Sequence, residues 1–379
     1  MRVLIVSGIW PPDVGGPAVH APALAAFLHE RGHGVEVVTT ADAAPAPAEY
    51  PVQWVPRARP PGVRHWLVAW QVARCAREAD VVYATSMIRR AAAGAAIARR
   101  PLVVKLVADE AYERARRAGL FSGTIEEFQK VEGGARIRAL RSARNIAVGR
   151  ATHVFCPSAY LREIAVGWGI PAQRISVLPN PAPTVPVLRS REALRAAYGM
   201  TGITLAFAGR LTPQKDLRLA LDVIGAVPDV SLVVLGEGPE RAALVSYAAQ
   251  RGLGDRVRFL GGGSRDDVLE LFRAADASLL SSSWENFPHT VVEALAVGTP
   301  VIATAVGGVP EIVRDGENGL LVAPHDVAVL AAAVRRFASD AALREHLAAA
   351  AAPSVEGYAP DILLARVEAE LVGAAGARR

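Results

Sequence analysis

Cysteine is nearly absent from this chain. Cys75 and Cys156 are the only two in 379 residues, which rules out a disulfide framework, and their spacing does not suit a metal site. No run of 18 apolar residues occurs, so no membrane-spanning helix is expected. The opening MRVLIVSGIWPPD runs straight into a strand-like segment and lacks the long apolar stretch and small-residue cleavage site of a secretory signal. The expectation is a cytosolic enzyme. There is no G-x-G-x-x-G dinucleotide loop and no Asp-x-Asp metal motif in a suitable loop. Internal repeats and low-complexity tails are missing too. No interleaved aromatic platform or recognition motif points to nucleic acid.

What is present is length and apolar content. A chain of 379 residues, 51% of them hydrophobic, is too long for one ordinary domain and can fill two cores. The charge is uneven. Thr85 to Arg150 holds fourteen Lys/Arg against six Asp/Glu, an excess of eight in a chain whose net charge is +5. One reading is Arg-rich solvated helix faces. The other is a surface, Arg89 to Arg150, that meets an anionic membrane or a phosphorylated acceptor. That contact would be peripheral, at the inner membrane face.

Short apolar runs alternate with longer Ala-rich amphipathic stretches. The first set of predicted strands is Val3–Ser7, Val35–Thr39, Val52–Val55, Val81–Ala84, Leu102–Val107 and His153–Pro157. After the proline-rich stretch Pro179–Pro186 the rhythm restarts with Ile203–Ala208, Leu232–Leu235, Val257–Leu260, Ala277–Ser282, Pro300–Thr304 and Gly319–Val322. This is the βαβ pattern of two parallel sheets covered on both faces. The domains are placed at 1–184 and 185–359.

The richest stretch is Ser282–Gly319. Glu285 and Glu293 are separated by seven residues, and Gly307 and Gly308 follow one strand later. The pattern predicts a buried strand, a loop carrying Glu285, and a helix from Pro288 to Ala296. Proline suits a first helical turn. The free amides of His289, Thr290 and Val291 would then form an anion site. Glu293, facing the same crevice, would accept hydrogen bonds from sugar hydroxyls. Either glutamate alone reads better as a solvated helix charge; only the joint pattern favours a site.

Other loops add candidates. Gly15 and Gly16 follow the first strand, where glycine lets a backbone approach a ligand. Gly209-Arg210 closes a strand, and Lys215 lies five residues after Arg210. The two cations can converge on one diphosphate, Arg as a flat fork and Lys as a point charge. Gly236 and Gly238 open a loop after another strand, but Arg241 stands where a third glycine would be.

The joint pattern closely resembles the retaining family-4 glycosyltransferases (glycosyl transferases group 1), over nearly the whole chain. They carry a Glu, seven residues, Glu signature followed by Gly-Gly-x-Pro-Glu, here Gly307-Gly308-Val309-Pro310-Glu311. The resemblance implies an α/β fold of the GT-B type, two Rossmann-like doubly wound parallel-sheet domains facing across a cleft. It implies an acceptor-binding N-terminal domain and a donor-binding C-terminal one, with a last helix in 360–379 returning to the first. It implies donor contacts from Gly15, Gly16, Gly209, Gly236, Gly238, Asn286, Phe287, Pro288, His289, Thr290 and Glu293. Catalytic roles fall to Glu285, Arg210, Lys215 and Asp109. Many members have a histidine where this chain has Asp109 or Glu110, so the sugar contact there differs. His20 is placed toward the cleft and His153 in the core.

The expected reaction is retaining transfer from a nucleotide-diphosphate sugar of UDP or GDP type to a hydroxyl acceptor: a glycan, a lipid-linked acceptor or a small-molecule glycoside. No metal and no further cofactor are expected, and no nucleic-acid partner. The alternatives are a nucleotide-sugar epimerase on the same fold and a non-catalytic nucleotide-sugar binding protein.

Overall fold

The computed structural model describes residues 1–13 and 16–377, the side chains of 16–18 excepted. The chain divides into two compact units, Met1–Leu178 with Leu363–Arg379, and Pro179–Ile362.

Unit 1 is built on seven parallel strands. They are β1 (Arg2–Ser7), β2 (Gly34–Ala41), β3 (Val52–Pro56), β4 (Val81–Ala84), β5 (Leu102–Lys105), β6 (His153–Cys156) and β7 (Ile175–Val177), in the order β3-β2-β1-β4-β5-β6-β7. Its helices are α1 (Gly16–Glu30), α2 (Pro61–Ala76), α3 (Ile88–Ile97), α4 (Glu110–Arg117), α5 (Ile125–Lys130), α6 (Ala135–Gly149) and α7 (Ala159–Val166). Central strands such as β1 are buried at nearly every position, which is why they read as continuous apolar runs. On one face Leu4, Val6, Val82 and Val104 pack with α2, α3 and α6. On the other, Tyr83 bonds His20 of α1 at 2.8 Å, and His153 pairs with Glu370 at 2.6 Å.

Unit 2 holds six parallel strands. They are β8 (Ile203–Ala208), β9 (Val230–Leu235), β10 (Val257–Gly261), β11 (Ala277–Leu280), β12 (Val301–Thr304) and β13 (Gly319–Val322), ordered β10-β9-β8-β11-β12-β13. The helices are α8 (Arg191–Ala197), α9 (Leu217–Ala226), α10 (Arg241–Gln250), α11 (Arg265–Ala274), α12 (His289–Ala296), α13 (Val327–Ser339) and α14 (Ala341–Ala351); α15 (Pro360–Gly376) begins here and belongs to unit 1 from Leu363 on. Alternate strand residues enter two cores, Leu205, Phe207 and Leu279 in one, Ala206, Ala208 and Leu280 in the other. Each unit is therefore a doubly wound, Rossmann-like parallel sheet covered on both faces.

Several limits differ from the sequence reading. The units divide at Leu178/Pro179 rather than 184/185. Residues 179–184 are tied to unit 2, where the Asn180 side chain donates to the Phe287 carbonyl and the Ala182 amide to the Tyr358 carbonyl. The chain rejoins unit 1 at Leu363. The strand expected over Leu102–Val107 stops at Lys105, and that over Ala277–Ser282 stops at Leu280. Past Leu280 the backbone leaves the ladder for other partners: Ser282 O accepts from the Thr304 hydroxyl and the Ser283 amide donates to Gln214 O. The three-residue edge strand β7 is too short for a periodicity to show.

Candidate functional site

In both sheets the strand order reverses beside the first strand, between β1 and β4 and between β8 and β11. In open α/β sheets ligands bind beyond the carboxyl ends of the strands at such switch points. In unit 2 the loops there are 209–216 after β8 and 281–288 after β11.

These two loops are stitched together. The Ser283 amide donates to Gln214 O at 2.9 Å, and the Gln214 side chain donates to Trp284 O at 2.8 Å. Thr304, at the end of β12, donates to Ser282 O at 2.6 Å. The stitching brings Lys215 to Glu285, with Nζ to Oε1 at 2.5 Å, and Ser282 donates to the same oxygen at 2.7 Å. Glu285 is buried and the Lys215 side chain is largely covered. Ion pair and hydroxyl together hold one carboxylate in a fixed orientation where water is scarce. Such charge-assisted bonds are the strong ones. Arg210 lies exposed at the start of the same loop. The serine run after β11 is the sequence signal for this scaffold; Gln214 and Thr304 carry no local signal.

Glu293 projects from α12 toward α11, where Arg265 Nε lies 3.3 Å from Oε1. Burial pushes its carboxyl above the usual range, with Arg265 opposing. Asn286 and Phe287 are buried, the Phe287 ring standing edge-on to Tyr358 with centroids 5.8 Å apart. Pro288 is not in the first turn of α12. It is the N-cap, with extended backbone, and the helix starts at His289. The Val291 amide donates to Pro288 O at 3.3 Å, so it is not free as expected. His289 and Thr290 are half-buried at the helix start.

The glycines divide by cause. Gly209 has φ +151 and donates to Leu235 O. A Cβ on Gly236 would lie 1.9 Å from Gly209 O, and one on Gly238 would lie 2.2 Å from Leu211 O. Their smallness is required by the packing of one loop on another, whatever binds above. Gly307 has φ +53 and leads into a short 3-10 turn over Val309–Glu311.

Asp109 was expected to face the sugar, yet it is fully buried. It caps α4, accepting from Ala111 N and Tyr112 N, and its other oxygen takes Gln129 Nε2 at 3.0 Å and Arg144 Nη1 at 2.5 Å. Gln129 also accepts from Trp168 Nε1, and the Arg144 guanidinium lies 4.0 Å over the Trp168 ring. Every part of this carboxylate is spent on the core, so its role is structural. Glu110 pairs with Arg114. His20 is bonded to Tyr83 within the buried interior rather than open to a ligand. Gly15 lies outside the described residues, and Gly16 is the first residue of α1.

One buried group was missed. Lys105 ends β5 and is 2% exposed, and its ammonium nitrogen has no polar partner among the described residues. Burial pushes it down to about 7. The hydroxyl of Thr85, one residue past the neighbouring β4, is likewise unpartnered.

Two family descriptions match consecutive halves of the chain: a glycosyl transferase 4-like domain over residues 15–181 and glycosyl transferases group 1 over residues 191–353. D-inositol 3-phosphate glycosyltransferase of Mycobacterium sp. (strain KMS) is 43% identical over 145 residues, 36% of this chain and 33% of that protein. The protein of the same name from Mycobacterium bovis (strain BCG / Pasteur 1173P2) is 39% identical over 183 residues, covering 46% and 38%. The matched stretch thus spans only about a third of the length of these relatives. Among solved structures, Anabaena HepE in complex with UDP superposes with a TM-score of 0.77 at 22% identity, covering 98% of this chain and 100% of that one. Sucrose-phosphate synthase from Thermosynechococcus elongatus gives 0.78 at 18%, covering 97% and 98%. At these identities the structures speak for the GT-B fold. With both halves matched and the two doubly wound sheets in place, the chain belongs to the glycosyl transferases group 1 family.

Proposed function

We propose that this protein is a retaining glycosyltransferase that moves a sugar from a nucleotide-diphosphate donor to a hydroxyl acceptor without a metal ion. The observation that carries this reading is the Lys215–Glu285 pair, fixed by Ser282 at the switch point of unit 2, on a loop that opens with the exposed Arg210. Unit 2 holds the donor and unit 1 contributes the acceptor site. The bond between the sugar's anomeric carbon and the diphosphate oxygen breaks, and the acceptor oxygen bonds to that carbon from the same face. The acceptor's proton passes to the leaving diphosphate. Lys215 and Arg210 offset the charge that develops there, a preorganised electrostatic effect in a partly dry site. Glu285 orients the reacting sugar, and Glu293 accepts from the nucleotide's ribose. The UDP type is the first donor to test, because the HepE structures hold UDP and UDP-glucose. No helix among the described residues is long and apolar enough to cross a membrane. The setting we propose is cytoplasmic, with peripheral contact to an anionic membrane.

Titration calorimetry with UDP and GDP, then initial rates with the matching sugar nucleotides, tests the roles. Ribose bonds exist in ground and transition states alike, so Glu293→Gln should weaken nucleotide binding about tenfold or more. Glu285→Gln should lower kcat by about tenfold to a hundredfold and leave nucleotide binding nearly unchanged. Nucleotide release that needs no acceptor would favour an epimerase instead. Normal nucleotide binding by Glu293→Gln together with full kcat in Glu285→Gln would overturn the assignment.

A further inference from the structure

Three helices of unit 1 lie side by side on one face of its sheet, α2 against α3 and α3 against α6. The α2–α3 crossing is close, since a Cβ on Gly94 would meet Val72 Cγ1 at 2.5 Å. Their inner faces are spent on the core through Val68, Val72, Ala91, Ala95 and Val148. Their outer faces are not those of an ordinary solvated layer. Along α2, Val63, Trp66, Trp70, Arg74 and Arg77 recur at the three- and four-residue spacing of one helix face. Trp66 is 64% exposed and Trp70 50%, and their rings stack with centroids 6.4 Å apart. Ile97 at the end of α3 and Ile146 on α6 are 63% and 59% exposed. Ile97 lines the same groove as the tryptophans, and Ile146 shares a second groove with Arg89 and Arg150.

The charge on these helices has one sign. They carry two, two and four arginines and no Asp or Glu. Arg74, Arg89, Arg136 and Arg138 are exposed, as are Arg77, Arg99 and Arg150 at or just past the helix ends. An exposed Trp pair is costly in water and favourable where an apolar region meets a wet one. Glu78 and Glu110 flank these helices, but the arginines outnumber them, and such a cationic face is drawn to an anionic layer. A second copy of this chain would set arginines against arginines. Nucleic acid has nothing for Val63, Ile97 and Ile146 to bury against, whereas acyl chains do.

We propose that the outer face of α2, α3 and α6 docks on the surface of an anionic lipid bilayer, with Trp66 and Trp70 seated among the headgroups. The anchor therefore lies largely in α2, before the Arg-rich segment Arg89–Arg150. Arginines supply attraction over a Debye length, and the tryptophans supply short-range hold.

The full chain is sedimented with vesicles of equal parts phosphatidylglycerol and phosphatidylcholine, and with phosphatidylcholine alone, at low and physiological salt. No donor or acceptor is present, so the outcome is independent of the reaction proposed above. Wild type should sediment with the anionic vesicles and not the neutral ones, and salt should weaken it. The W66S/W70S variant should keep its melting temperature, because both rings are exposed, and lose about tenfold or more in partitioning. R74Q/R89Q/R150Q, which removes three of the seven exposed arginines, should bind the anionic vesicles more weakly and with a shallower salt dependence. Equal sedimentation with both vesicle types, or undiminished binding by W66S/W70S, would overturn the proposal. So would a wild-type dimer in free solution that W66S/W70S converts to monomer, since the face would then be an interface between copies.

Discussion

Lys105→Met should stabilise unit 1, by an amount that depends on pH in a way fixed by where the amine sits. Lys105 is enclosed at the end of β5 with no partner for its nitrogen among the described residues. Burial alone drives its pKa from the ordinary 10.5 to about 7. At 1.36 kcal/mol per pH unit, that fall corresponds to about 5 kcal/mol held against folding when the amine is charged in both states. Below pH 7 both folded and unfolded chains carry the proton and the full cost applies. Between 7 and 10.5 the unfolded chain keeps the proton and the folded one has lost it, so stability rises with pH. Wild type should therefore gain about 3 kcal/mol between pH 7 and pH 10 from this group, and the variant should not. Methionine fills a similar volume with an unbranched apolar chain and adds no polar atom. Urea unfolding followed by tryptophan fluorescence suits the test, because five of the six tryptophans (10, 54, 66, 70 and 168) lie in unit 1. The variant should exceed wild type by about 4 kcal/mol near pH 7, and the two should converge toward pH 10. A difference independent of pH, or a variant weaker than wild type at pH 7, would refute the reasoning. It would mean that the ammonium has a partner in solution.

Asp109→Asn should cost about 3–5 kcal/mol of stability, because it strands the Arg144 charge in the interior; chemical denaturation would read it, and an unchanged midpoint with altered kinetics would return Asp109 to the active site. Gly236→Ala should destabilise unit 2 by at least about 1–3 kcal/mol, since the new methyl overlaps Gly209 O, and Trp284 fluorescence during unfolding would report it. Lys215→Met should lower kcat and also loosen the loop that carries Glu285, because among the described residues Glu285 Oε1 then keeps only Ser282; a crystal structure of the variant with an ordered, unmoved Glu285 would separate the two effects.

Much of the architecture was legible in the amino-acid order. Parallel strands buried on both faces must be apolar throughout, and twelve of the thirteen strands stood out as such runs separated by amphipathic helices. The joint spacing of Glu285 with Glu293 and of Arg210 with Lys215 marked the segments that follow two strands, where no one of these charges alone would have. Tertiary structure decided what each of those charges touches. Nothing local distinguishes Asp109, which ends in a core network with Arg144, Gln129 and Trp168, from Glu285, which ends in a paired site with Lys215. Their partners lie 20 to 70 residues away in the chain. The same holds for Gly236 and Gly238, which look like a nucleotide loop and are required by a neighbouring loop. Lys105 carries no sequence mark at all: a lysine at a strand end is ordinary until the fold closes over it. Periodicity is a local property and survives in the sequence; burial and pairing are set by which distant segments the sheet brings together.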